Sequence, residues 1–231
     1  MSNELIVNEE ELKELERQAI NEDSMGLRLS VKKIKMPTGG STYFELGEND
    51  TTGDLIGLII DNYDTRTCFM EAFNGEQNKP DCQSFNCITG IDKDGNEVTC
   101  ESCGLYKYHK GEKTKCSTRR RLYILLEGQD LPYLLVVPPT SMRSFRKYVA
   151  ELQYKNQTTR TVLTRMFLKK EKSADGFPYA ELQFLIQREL TGEERAEALL
   201  KAKNLRGLTR FTYSASPEEE AVEESFVPDE V

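Results

Sequence analysis

The spacing Cys82-x4-Cys87-x12-Cys100-x2-Cys103-x12-Cys116 puts five of the chain's six cysteines between residues 82 and 116. The start, Met1-Ser-Asn-Glu-Leu, has no basic region leading into an apolar stretch, and the longest apolar run, Leu55 to Ile60, is strand-sized. A cytoplasmic chain is expected, in the host-cell cytoplasm if it is viral, with no secretory signal and no membrane partner. In that reducing compartment clustered thiols point to metal binding or catalysis before disulfides. Cys100-Glu-Ser-Cys103 is the informative unit, because two thiolates separated by two residues in a tight turn reach one ion with tetrahedral angles. The second pair comes from Cys116 and either Cys82 or Cys87. Cys82 is preferred because Lys79-Pro80-Asp81 fixes the chain leading into it, and His109 is an alternative ligand. The expected set is therefore Cys82, Cys100, Cys103 and Cys116 around a structural Zn2+, with no open position for catalysis. Cys68, beside Phe69 and Met70, reads as a core thiol.

Apolar residues thin out between Asn74 and Ser117, so this stretch buries too little to hold itself together, and zinc would supply what its core lacks. On either side the patterning is regular. Alternation over Leu27 to Met36, then Ser41 to Leu46, then the run from Leu55 towards Met70, predicts three strands. Arg121 to Leu126 and Leu131 to Val137 predict two more, and Thr161 to Lys169 with Tyr179 to Gln187 a closing hairpin. Helices are expected over Asn8 to Ile20, after Thr140 or Ser141, and over Thr191 to Ala202, the last opened by the capping box Thr191-Gly-Glu-Glu. The expected fold is mainly β (α+β), an OB-type Greek-key β-barrel with an inserted zinc-binding lobe and flanking helices. Its parts are an acidic arm (1–24), the first part of the barrel (25–73), the zinc lobe (74–118), the second part of the barrel with helices (119–213) and a disordered acidic tail (214–231).

The formal charge of -8 hides an uneven distribution. Gly104 to Lys172 carries 16 Lys and Arg against 5 Asp and Glu, whereas Pro217 to Val231 carries seven acids and no base. Single-stranded nucleic acid is held by cations along its phosphates and by aromatic faces against its unpaired bases. Tyr106, Lys107, Tyr108, Lys110, Lys113 and Lys115 supply both within the zinc lobe. Strand alternation is expected to put Arg119, Arg121 and Tyr123 on one exposed face, and Arg165 and Phe167 on another. Arg143 and Lys147 turn away from the apolar side of their helix and complete the set. The acidic tail is expected to compete for the basic groove or to dock replication or recombination proteins.

An OB-type core, a zinc-binding insertion built on Cys82, Cys100-Glu-Ser-Cys103 and Cys116, and an acidic C-terminal tail together resemble phage single-stranded-DNA-binding proteins of the T4 type. The chain departs from that pattern in its all-cysteine ligand set and in the acidic Glu9-Glu10-Glu11 of its arm. Cys116-Ser-Thr-Arg-Arg-Arg-Leu-Tyr-Ile-Leu-Leu, with Leu131-Pro and Pro139-Thr-Ser-Met, is also similar to uncharacterised phage proteins, some linked with DNA recombination. The resemblance implies a non-enzymatic protein that binds single-stranded DNA in DNA replication or recombination. The alternative is a recombination directionality factor, or another interaction factor, acting on a recombinase or polymerase. Asp54, Asp61 and Asp64 are read as turn and edge residues, not as a magnesium cluster.

Overall fold

The computed structural model describes Leu12 and residues 31–37, 40–70, 80–105, 115–173 and 176–211. The expected N-terminal helix apart from Leu12, Tyr106, Lys107, Tyr108, His109, Lys110, Lys113 and the acidic tail lie outside the described residues. The chain divides into two compact units, Met1–Ser30 and Val31–Val231. The strands and helices named below belong to the second.

Its centre is β4 (Asp54–Cys68), a 15-residue strand whose long apolar start and polar end let it serve a core and a surface in turn. Along one edge, from Gly57 to Cys68, it pairs antiparallel with β8 (Cys116–Leu126). A Cβ at position 57 would collide with the Leu125 carbonyl, so only glycine lets these two backbones close up. Beyond β8 lie β9 (Tyr133–Val137) and then β1 (Lys33–Ile34), the latter parallel to β9. The other edge of β4 is shared. Its first residues pair with β10 (Val162–Lys172), which continues into β11 (Pro178–Glu189). Its last three pair with β5 (Cys82–Ser84), followed by β6 (Thr89–Asp92) and β7 (Glu97–Thr99). A short hairpin, β2 (Phe44–Gly47) and β3 (Asp50–Thr52), forms a second sheet, joined to the end of β1 by a bridge between Lys35 and Glu45.

From Val31 on, the described residues form a mainly β structure with one large mixed sheet and two α-helices, α1 (Met142–Tyr154) and α2 (Gly192–Phe211). Among the described residues no strand pairing closes this sheet into a barrel. The cysteine-rich stretch continues the main sheet, with β5, β6 and β7 extending it from the end of β4.

Both faces of the sheet are covered. Leu122 and Ile124 of β8 point into the larger core with Phe145, Tyr148 and Leu152 of α1, while Tyr123 and Leu125 point into a second core with Ile60 and Ala202 of α2. That second helix is twenty residues long, well beyond the expected end at Ala202. It opens with a reciprocal cap: Thr191 N–H donates to Glu194 Oε2 at 2.8 Å and Glu194 N–H to Thr191 Oγ1 at 3.4 Å. No helix among the described residues is long and apolar enough to cross a membrane.

Candidate functional site

The register of three neighbouring strands brings the thiols together. Cys68 of β4 lies opposite Cys82 of β5 on one side and Cys116 of β8 on the other. Residues directly opposite in a sheet share a face, so the three form a row. Cys100 and Cys103 reach the same face from the end of β7. Their turn is pinned by Cys100 N–H to the Ile88 carbonyl at 2.8 Å and Cys103 N–H to the Thr99 carbonyl at 3.1 Å. These five cysteines, with Arg66, Ser84, Val98 and Leu105, line a cavity of about 20 Å³, enough for a single water-sized guest.

Cys87 is not among the lining residues. It sits in the β5–β6 turn at φ +59°, where the Asn86 carboxamide oxygen accepts from Ile88 and Thr89 N–H, both at 2.8 Å. Cys68, expected in a core, is indeed only 1% exposed, but it occupies the middle of the thiol row. Sequence spacing misses this role, since only the strand register reveals it.

Burial pushes Cys68 up to about 11, with the charge of a neighbouring Cys82 thiolate adding to the effect. Burial and then Cys68 push Cys116 up to about 12, and burial followed by the Cys100 and Cys103 thiols raises Cys82. Burial thus favours the protonated thiol at Cys68, Cys82 and Cys116, and a soft cation entering the cavity has to displace those protons. Among the described residues no three His, Cys, Asp or Glu side chains converge tightly enough to hold an ion as they stand. The sulfurs frame the cavity, and clasping an ion takes side-chain rotation on fixed strands. The donor set itself, thiols in excess of four around a space of one ion's size, fits closed zinc coordination.

The basic residues fall into three groups. Arg121 and Tyr123, expected on an exposed face, are 5% and 0% exposed, Tyr123 packing into the core shared with Ala202 of α2 and Arg121 lying against the Phe85 ring. Arg121 lies over the Phe85 ring at 5.2 Å, and Tyr123 stacks on Tyr63 with their hydroxyls 3.0 Å apart, so both residues hold the fold together. Burial against Tyr123 also raises the Tyr63 phenol well above its usual range.

Arg165 forms the second group. Its guanidinium gives two bonds to Asp54, at 3.1 and 2.9 Å, while lying 5.4 Å from the Phe167 ring. A cation so engaged has to leave its carboxylate before it can meet a phosphate. Arg119 is half-buried on β8 and keeps other contacts.

Arg143 and Lys147 form the third group. They are exposed on α1, with Arg146 beside them. Arg143, Arg146, Lys147, Ala150 and Tyr154 follow helical spacing, and so form one outward stripe opposite the buried Phe145, Tyr148 and Leu152. None of the three cations has an ion-pair partner among the described residues, while Glu151 is occupied by Lys155 at 3.0 Å. Tyr154, at the end of the stripe, is 91% exposed. Lys115 is exposed just before Cys116.

The three acids are dispersed. Asp54 is bound to Arg165 and Asp64 to Arg120, whereas Asp61 is 3% exposed and accepts from Thr209 at 2.9 Å. Comparisons with protein-family models, curated proteins and solved structures return no significant match.

Proposed function

We propose that the protein is a non-enzymatic single-stranded-DNA-binding protein acting in DNA replication or recombination, with a zinc-braced thiol cluster beside its binding surface. The observation that carries this is the outward stripe of α1. Three neighbouring cations without carboxylate partners among the described residues end on an aromatic ring left almost wholly in water, and the opposite face of the same helix is buried. Cations grip phosphates whatever the sequence, and an exposed ring gives an unpaired base a surface to stack on. Duplex DNA keeps its bases stacked inside and gains only the first of these.

The cysteine cluster adds a second anchor. Residues 106–114, with Tyr106, Lys107, Tyr108, Lys110 and Lys113, connect Leu105 to Lys115 and Cys116, and both Leu105 and Cys116 line the thiol cavity. A Zn2+ ion held by the Cys100–Cys103 turn would fix one end of that basic and aromatic segment, and the pairing of Cys116 with Cys68 fixes the other. The chain order of strands, then α1, then the β10–β11 hairpin is compatible with an oligonucleotide-binding barrel, and the fold is read as an opened form of it. The acidic tail, with Glu218, Glu219, Glu220, Glu223 and Glu224, would act as a competitor for the same cations or a dock for replication or recombination proteins.

Fluorescence anisotropy with labelled oligonucleotides tests the reading. Single strands should bind more tightly than duplex, with affinity falling steeply with salt. The triple variant R143A/R146A/K147A should flatten the slope of log affinity against log salt by roughly 2, at about 0.7 for each phosphate that is no longer neutralised. Tyr154→Ala should weaken single-strand binding by about 1–3 kcal/mol and leave duplex binding alone. Equal affinity for duplex and single strand, or a triple variant with an unchanged slope, would overturn it.

A further inference from the structure

Five thiols face a cavity that offers one ion four positions, so one of them is surplus. We infer that the surplus thiol is Cys116 and that Cys68 takes its place, giving the ligand set Cys68, Cys82, Cys100 and Cys103. This rests on reading the cavity as a metal site and deepens that reading.

Spacing across the sheet comes first. Strands lie about 4.8 Å apart, so Cys82 and Cys116, one strand to either side of Cys68, start roughly 9.6 Å from each other. Two sulfurs bonded to one tetrahedral zinc at about 2.3 Å lie within about 4 Å of each other. An ion shared by both outer cysteines would have to sit directly over Cys68, whose sulfur would then be the nearest donor. A four-sulfur set that uses both flanks and omits the middle is the least favourable choice this row offers.

The direction from which the turn arrives then separates the two flanks. Cys100 and Cys103 follow β7, and the sheet runs β8-β4-β5-β6-β7. Counted from that side, Cys82 is the first thiol of the row, Cys68 the second and Cys116 the last. The space between Cys82 and the turn has been left clear by a glycine. Gly90 lies on β6 opposite Val98 of β7, and a Cβ built on it would stand 2.7 Å from Cys82 Sγ. The Cys82 sulfur thus leans over Gly90 towards the Cys100–Cys103 turn and away from β8. The centre of the site lies on the β4–β5 side, where Cys68 and Cys82 are adjacent and Cys116 is a strand too far.

Zinc affinity, measured on the full chain by competition with a chromophoric chelator, tests the assignment. Cys68→Ser should lose more than the roughly 10–100-fold that an outer-sphere partner is worth, whereas Cys116→Ser should stay within about threefold of the parent. Full affinity in C68S, with loss in C116S, would overturn the assignment. Because a variant at buried Cys68 can fail to fold, the unmodified chain labelled with 13C at cysteine Cβ provides a second measurement. On zinc addition the Cβ resonances of Cys68, Cys82, Cys100 and Cys103 should move and that of Cys116 stay at its free-thiol position. Movement of Cys116 without Cys68 would overturn the ligand set. If the unmodified chain takes up no zinc and no resonance moves, the metal reading itself fails, which is a different outcome from a wrong ligand.

Discussion

Tyr123 shows how one side chain's surroundings decide its use. Its neighbours Leu122 and Ile124 enter the larger core, and alternation sends Tyr123 to the opposite face of β8. With α2 lying on that face, the ring is wholly buried and its hydroxyl is satisfied by Tyr63. Tyr123→Phe should therefore cost about 0.5–1.5 kcal/mol in urea unfolding, the net worth of a buried hydrogen bond, and leave oligonucleotide affinity unchanged. A drop in affinity with stability intact would return Tyr123 to the binding surface. Gly90 is the other residue on which much turns. Gly90→Ala presses a methyl group against Cys82 Sγ and should reduce zinc affinity, read by the same chelator competition, without removing any sulfur.

At the scale of elements, the start of α2 ties the end of β11 to the helix. Arg188 of β11 gives Glu194 two bonds, at 2.7 and 3.0 Å, while Glu194 closes the cap with Thr191. Arg188 first, then the Thr191 backbone N–H, hold the Glu194 carboxyl down at about 2, from an ordinary 4.5. A carboxyl depressed by folding stabilises the native state fully above its unfolded pKa, and that contribution fades as pH falls through the folded one. Stability lost between roughly pH 4.5 and pH 2 should thus be smaller in Glu194→Gln than in the parent, read by urea unfolding at each pH. The cap is legible in the sequence because Thr191 and Glu194 are three residues apart and carry their own partners. The five longest strands are legible too, since β4, β8, β9, β10 and β11 follow period-two patterns or continuous apolar runs. The far half of α2 is not. Past Ala202 it adds Leu205 to the second core and anchors through the Thr209 hydroxyl to buried Asp61, a contact across 148 positions that no local pattern announces. The burial of Tyr123 escapes the sequence for the same reason. Strand alternation sorts side chains into two faces, and it is silent on whether a helix from the far end of the chain will cover the second one.

Across the whole molecule, the thiol cluster is built into the strands that make the core. β4 enters the larger core at Leu55 and Ile59 and ends at Cys68, and β8 begins at Cys116 and ends among Leu122, Ile124 and Leu125. Between them runs a polar strip in which Arg120 donates to Asn62 and Asp64, both at 2.9 Å, and lies 5.1 Å from the Phe145 ring of α1. Loosening the cysteine end of these two strands frays the same ladder that carries the core, because the pairing from Gly57 to Cys68 is interrupted only by the bulge at Ile59 to Asp61. A self-contained lobe inserted at 74–118 would melt alone when its metal was removed, giving two transitions. The continuous ladder leads to the opposite expectation for the zinc-loaded protein. Stripping the ion with a chelator should lower the melting temperature by roughly 10 °C while keeping one transition, since several kcal/mol of metal binding energy is withdrawn from a single cooperative unit. Far-ultraviolet circular dichroism and tyrosine fluorescence should trace the same midpoint before and after chelation. Midpoints that separate on chelation would show that the cysteine end melts independently of the core, and the coupling drawn from β4 and β8 would be wrong.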